Sequence, residues 1–181
     1  LRRKADSDEK RRFYEACGIA AEGMATFARR VADACDRVAE AADDADIRAT
    51  HAEQADMCRA LAERPPRTFH EALQLMFLAM ICLWFGEDHP LTSPGRMDRT
   101  CWRFYQADRA AGKLSPDRAM ELIAALYIQC NRILNPGSAI AVMVGGRHAD
   151  GSDATNELSY LCLLARAATR LVYPTVAVAW H

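Results

Sequence analysis

Apolar residues recur every three or four positions over most of the chain, which is the spacing of the buried face of an α-helix. Prolines and glycines interrupt this pattern after residue 63, at Gly112 and at residues 135–137, and these residues are typical of helix ends. The pattern therefore predicts helices over about residues 8–42, 47–63, 68–85, 97–111 and 115–134.

The third of these helices is the most apolar. Thr68 can act as its N-cap, with Glu71 three residues later as the capping-box partner. Its longest apolar run, LMFLAMICLWF, is about half as long as a bilayer-spanning helix, so we predict no membrane segment. We expect it to lie at the centre of the fold because apolar residues surround it: Phe69, Leu73, Met76, Phe77, Met80 and Trp84.

The pattern changes near the C-terminus, where two short segments are rich in β-branched residues. Residues 139–144 and 175–180 are strand-like, and residues 153–172 between them have helical spacing. This order predicts a β-α-β unit with parallel strands. The predicted fold class is thus α/β and predominantly helical, with a helical region over 1–137 and the β-α-β unit over 138–181.

A glycine-rich loop follows the first predicted strand, at the end where α/β folds bind ligands. Gly145, Gly146 and Gly151 match neither G-x-G-x-x-G nor the Walker pattern, and Asp150 and Asp153 would oppose a phosphate. We therefore favour a structural loop in which the glycines turn the chain and Asp153 caps the next helix. A nucleotide-binding domain and a non-catalytic α/β binding module remain as alternatives.

Composition excludes several classes of function. The 181 residues carry a net charge of -1, which gives no electrostatic basis for binding nucleic acid or an anionic membrane. The seven cysteines are scattered and odd in number, so we interpret them as reduced thiols of a cytoplasmic protein. Because no C-x-x-C, H-x-x-x-H or H-E-x-x-H spacing occurs, the sequence predicts no metal site.

Three motifs, in this order, resemble those of the glycyl radical enzymes, the pyruvate formate-lyase-like superfamily. They are RPPRTFHEALQLMF, SPGRMDRTCWRFYQADRAAGKLSPDRAMELI and GGRHADGSDATNELSYLCLLA. The resemblance extends from about residue 11 to 181. It implies that the two strands belong to a ten-stranded α/β barrel that encloses a substrate.

The resemblance also implies a chemistry, in which a glycyl radical takes hydrogen from a cysteine and the thiyl radical attacks a small organic substrate. A radical SAM activating enzyme with an iron-sulfur cluster installs the glycyl radical, and the full-length enzymes are homodimers. No cysteine here lies in a G-C-x-E-like loop, and no glycine in an R-V-x-G-Y-like motif. We therefore expect an internal segment of such an enzyme, with no cofactor of its own, no catalytic residue and no activity alone.

By the same resemblance, two stretches would line the substrate cavity. One is the loop before S-P-G-R, with Pro90, Leu91, Thr92 and Ser93, and the other is one face of the first strand, with Ala139, Ala141 and Met143. The alternative is that these alanines are small only to pack against neighbours. Six further residues of the motifs are interpreted as structural, with Arg96 making a bidentate contact to the barrel: Arg96, Gly145, Gly146, Asp153, Asn156 and Glu157.

Overall fold

The computed structural model describes residues 7–86, 92–133 and 139–180. The chain divides into two compact units, Leu1–Pro65 and Pro66–His181. The boundary falls at the two prolines that end the second predicted helix. Pro90 and Leu91, both predicted to line a cavity, lie outside the described residues, as do residues 134–138.

The first unit is a helical hairpin. Helix α1, Asp8–Ala41, packs against helix α2, Ala45–Glu63, and the predicted break between them is confirmed. Asp44 caps α2 by accepting hydrogen bonds from Asp46 N and Ile47 N, at 2.8 and 3.0 Å. Small residues allow the two helices to approach closely, and four alanines are buried in this hairpin: Ala28, Ala32, Ala39 and Ala55. The other buried residues are Met57, Cys58 and Leu61.

The second unit contains five helices and two strands among its described residues. The helices are α3 (Phe69–Gly86), α4 (Met97–Thr100), α5 (Trp102–Ala110), α6 (Pro116–Arg132) and α7 (Glu157–Thr169). Thr68 Oγ1 accepts from Glu71 N at 3.1 Å, as the capping prediction requires, while the Glu71 carboxylate accepts from Arg67 N at 2.7 Å. Pro116 stands at the start of α6, where a missing N–H leaves no bond unmade.

The single helix predicted over residues 97–111 is divided at Cys101. This residue has ψ −7°, and its carbonyl accepts from Phe104 N at 3.1 Å, three residues later, as well as from Tyr105 N. The turn at Cys101 is locally tightened to the i→i+3 pattern, which ends α4 and begins α5. The apolar spacing continues through this turn, which explains why the sequence pattern did not reveal it.

Helix α3, predicted to lie at the centre of the fold, contributes to the core but is buried along only part of its surface. Phe69, Leu73, Met80 and Trp84 are in the core, but Phe85 is 71% exposed. By length and composition α3 could cross a membrane, the only described helix that could, although core helices of soluble proteins meet the same criterion.

The predicted parallel β-α-β unit is confirmed. Strand β1, Ala141–Gly145, pairs in parallel with β2, Thr175–Ala179, and the register joins Ala141 to Thr175 and Val144 to Val178. Strand β1 begins two residues later than predicted, so Ala139 precedes it. Helix α7 connects the strands and packs on α6, and Val142 and Val144 of β1 point into this core.

Asp153 does not cap α7, contrary to the sequence prediction. Its carboxylate accepts from Thr155 N at 2.8 Å and so forms a turn before the helix. The N-cap is Asn156, whose side chain accepts from Ser159 N, while Ser159 Oγ accepts from Asn156 N at 3.1 Å. Glu157 is the first helical residue, where its carboxylate suits the helix dipole.

Candidate functional site

The two faces of strand β1 differ in burial. Val142 and Val144 are at most 1% exposed and contact the helices, whereas Met143 is 42% exposed and Ala141 is also exposed. The parallel register places Thr175 beside Ala141 and Ala177 beside Met143 on the same face. We call this surface, formed by Ala141, Met143, Thr175 and Ala177, the open face. It is uncharged, and its side chains are small apart from Met143.

The structure brings the two predicted cavity-lining stretches together. Ser93 Oγ accepts a hydrogen bond from Ala141 N at 3.0 Å, so the end of the loop lies against the start of β1. Thr92 is buried and Ser93 exposed. Ala139 is exposed just before the strand, outside the ladder that orients Ala141 and Met143.

Residues 93–98, which we call the edge segment, cover the side of β1 opposite β2. Three alternate amides of β1 point toward it, and each finds an acceptor: Ala141 N on Ser93 Oγ at 3.0 Å, Met143 N on Gly95 O at 2.9 Å, and Gly145 N on Asp98 Oδ2 at 2.7 Å. The edge segment thus takes the place of a neighbouring strand and satisfies an edge that would otherwise be open.

Arg96 joins the edge segment to the end of β1, although not by the bidentate contact that the sequence predicted. Its guanidinium donates to the single carbonyl of Gly145 and packs against Gly146. Gly146 has φ +82°, and a Cβ there would lie 3.1 Å from both Arg96 Nη2 and Ala179 Cβ. Glycine is required at this position because of both its backbone conformation and the close approach.

The main residue that sequence reasoning missed is Asp98, which is completely buried. Its Oδ2 accepts from Gly145 N and from Ser159 Oγ, both at 2.7 Å, and its backbone carbonyl accepts from Asn156 Nδ2 at 3.1 Å. Asp98 therefore links the end of β1 to the start of α7. The available signal was helical spacing, which puts it on the same side as the buried Cys101 and Tyr105.

The glycine-rich loop has little capacity to bind phosphate. Gly145 N is bonded to Asp98, and Gly151 N donates to His148 O at 3.0 Å. The amide of Ala154 is also engaged, because it donates to Gly146 O at 2.8 Å. Because these backbone groups bond within the protein, nothing among the described residues favours the nucleotide-binding alternative.

The described residues contain no reactive centre on the open face. Burial raises the pKa of the Cys101, Cys130 and Cys162 thiols to about 12, and all three lie in the core behind β1. No group of three His, Cys, Asp or Glu side chains within the described ranges could hold a metal ion. Two shallow cavities of about 430 and 350 Å³ lie beside the glycine-rich loop, away from the open face. Among the described residues, the open face carries no ionisable side chain, so it can form a wall but supplies no acid or base to it.

Comparison with known proteins gives a consistent result. The pyruvate formate lyase-like family model matches residues 1–181. The chain is 32% identical to an isethionate sulfite-lyase of Nitratidesulfovibrio vulgaris, over 97% of the chain and 23% of the relative. It is 28% identical to a (2S)-3-sulfopropanediol dehydratase of Klebsiella oxytoca, over 99% and 23%. A crystal structure of a glycyl radical enzyme from Archaeoglobus fulgidus aligns with a TM-score of 0.83 at 31% identity, covering 94% of the chain and 23% of that protein.

Proposed function

This chain belongs to the pyruvate formate lyase-like family, and we propose that it forms one wall of the substrate cavity of a glycyl radical enzyme. The chain spans about 23% of the length of the curated relatives it matches. The reaction is therefore proposed for a full-length protein. In this proposal the chain contributes scaffold and cavity wall, while the thiyl cysteine and the radical glycine come from other parts of the protein.

The observation that supports this proposal is the open face. One side of β1 packs against the helices, with Val142 and Val144 at most 1% exposed, whereas its other side presents the uncharged and exposed side chains of Ala141 and Met143. Strands of an α/β barrel alternate in this way between inward and outward side chains. The open face would then be the inward surface of the ten-stranded barrel, and Ser93, which is exposed, would extend it, whereas Thr92 is buried behind it.

The proposed reaction is radical lysis or dehydration of a small organic substrate. Relatives include a sulfite-lyase that acts on isethionate and dehydratases of sulfopropanediol and trans-4-hydroxy-L-proline. An uncharged wall suits the carbon skeleton of such molecules, and their ionic groups would need partners elsewhere in the protein. We further propose a radical SAM activating enzyme with an iron-sulfur cluster as partner, a homodimeric full-length protein and a cytoplasmic location.

The test is anaerobic activation of a full-length protein that contains this chain, with SAM and a radical SAM activating enzyme. We expect a glycyl radical doublet in the EPR spectrum and turnover of at least one hydroxylated substrate from a panel that includes isethionate, (2S)-3-sulfopropanediol and 1,2-propanediol. The 181-residue chain, treated in the same way, should give no doublet. A doublet from this chain alone, or a full-length protein that is never activated, would contradict the proposal.

A further inference from the structure

We propose that the edge segment is a positioning element, with Asp98 as its anchor, that sets where Ala141 and Met143 stand in the substrate wall. This inference rests on the proposed function of the open face. Its basis is the row of three hydrogen bonds that hold alternate amides of β1. The side chains of Ala141 and Met143 form half of the open face, so these bonds fix the strand that carries them.

The acceptors in this row are unusual for a strand edge. In a regular parallel ladder, backbone carbonyls of the neighbouring strand accept from every amide that faces that strand. Here only Met143 N bonds to a backbone carbonyl, whereas Ala141 N and Gly145 N bond to the side chains of Ser93 and Asp98. The position of β1 therefore depends on the length and chemistry of two side chains, and substitutions can adjust it without rebuilding a strand.

Asp98 is suited to anchor the row because it is fixed from several directions. Its Oδ2 bonds to the end of β1 and to Ser159 of α7, and its carbonyl bonds to the Asn156 cap. A fully buried carboxyl group is costly unless it is hydrogen-bonded, and an apolar side chain could fill the same space. What an apolar side chain could not supply is a fixed acceptor for the Gly145 amide, since that requires an oxygen at this point.

The kinetic test uses a full-length, activated protein and two substrates that differ by one carbon group. Asp98→Ala removes the Gly145 acceptor, so we expect the ratio of kcat/KM for the two substrates to change by about fivefold to tenfold, because small displacements of positioning groups have large kinetic effects. Asp98→Asn keeps an oxygen that can accept both bonds and should restore the ratio to within about twofold. Ser159→Ala is the matched control, because it loses bonds to Asp98 and Asn156 but leaves Gly145 N on Asp98.

The second readout, hydrogen exchange in the unactivated full-length protein, does not depend on activity. Loss of one bond should speed exchange of the Gly145 amide by about tenfold in Asp98→Ala and not in Ser159→Ala. Ser93→Ala should do the same for the Ala141 amide. Its control is Ser115→Ala, which also removes one serine hydroxyl that accepts from a backbone amide. That amide is Arg118 N, at 3.1 Å, at the start of α6.

The outcomes separate this inference from the proposed function. If Asp98→Ala and Ser159→Ala lower the melting temperature and neither changes the substrate ratio, the row is only structural and the inference is wrong. If the Gly145 amide exchanges at the wild-type rate in Asp98→Ala, its hydrogen bond to Asp98 does not hold the strand, and the inference is wrong. If Asp98→Ala does not fold, Ser93→Ala is compared with Ser115→Ala instead. The same two measurements, the ratio of kcat/KM for the two substrates and the rate of amide exchange, then decide. The wild-type protein could also be activated and show no turnover, while the variants show the expected exchange rates. That result would contradict the proposed function and the substrate role of the edge segment, but it would confirm the row of hydrogen bonds.

Discussion

Strands β1 and β2 are equally long and paired residue by residue, yet their surroundings differ. Strand β1 has β2 on one edge, the edge segment on the other and the helical core behind it. Strand β2 pairs only with β1 among the described residues, and its Val178 is 54% exposed although the paired Val144 is 1% exposed. The comparison teaches that strand identity follows from local sequence, whereas burial follows from what other elements supply.

This difference also bears on the proposed role. A strand such as β2, which has an exposed valine and pairs on one edge only within the described ranges, is normally covered by further structure. The edge segment bounds the open face beside β1. No described residue pairs with the outer edge of β2, so a larger sheet could continue at that edge. The described residues thus form part of a wall rather than a closed site.

The largest expected effect comes from one substitution made at two paired positions. Val144→Ala should lower the free energy of unfolding of the 181-residue chain by about 2 to 3 kcal/mol, because it removes two buried methyl groups and leaves a cavity in the core. Val178→Ala should lower it by less than about 1 kcal/mol, since that side chain is half exposed. Urea denaturation monitored by circular dichroism measures both, and equal losses would show that β2 is as well covered as β1.

A second pair of variants tests how closely the two strands approach at their ends. Gly146 and Gly151 both have positive φ, so alanine at either site should cost about 1 kcal/mol of backbone strain. Only at Gly146 would the new Cβ also meet Ala179 and Arg96 at 3.1 Å, whereas Gly151 faces open space. We expect Gly146→Ala to lower the free energy of unfolding by about 2 kcal/mol and Gly151→Ala by about half of that. Identical melts for the two variants would contradict the close approach.

A smaller effect concerns the core behind β1, which contains three thiols. The folded pKa of Cys101, Cys130 and Cys162 is raised to about 12 from an ordinary value of 9.0, so the folded state holds these protons to higher pH than the unfolded state does. Their stabilising contribution is therefore complete below pH 9 and is lost as the pH rises from 9 toward 12.

The measurement is urea denaturation of the wild type and of Cys130→Ala at pH 8, 9 and 10. Above pH 9, we expect the free energy of unfolding to fall more steeply in the wild type than in Cys130→Ala. The difference in slope is at most about 1 kcal/mol per pH unit, because the variant lacks one thiol. Parallel pH profiles would mean that the Cys130 thiol titrates normally in the folded state.

The sequence predicted what depends on local periodicity. The apolar spacing of α6 and the prolines before α3 determine where those helices stand, and both are confirmed. The β-α-β unit also followed from local composition, because β-branched runs of five or six residues flank a helical pattern.

What the sequence could not predict depends on contacts between distant residues. Asp98 is acidic and lies in the first turn of a helix, a position typical of solvated carboxylates, and its burial depends on Gly145 and Ser159, which are 47 and 61 residues away. The cap of α7 was uncertain for a similar reason, since Asp153 and Asn156 are both good N-caps and only the turn at Thr155 excludes the first. In the candidate site, strand alternation was enough to predict that Ala141 and Met143 share one face. The hydrogen bond from Ala141 N to Ser93 Oγ could not be predicted in this way.

The most direct test of the account compares Met143→Ala with Val142→Ala in the full-length, activated protein. These neighbours point to opposite faces of β1, with Met143 42% exposed and Val142 fully buried. If the open face is a substrate wall, Met143→Ala will change KM or the preference between substrates with little loss of melting temperature, and Val142→Ala will lower the melting temperature with the preference unchanged. A Met143→Ala protein that loses several kcal/mol of stability and retains wild-type kinetics would contradict the account.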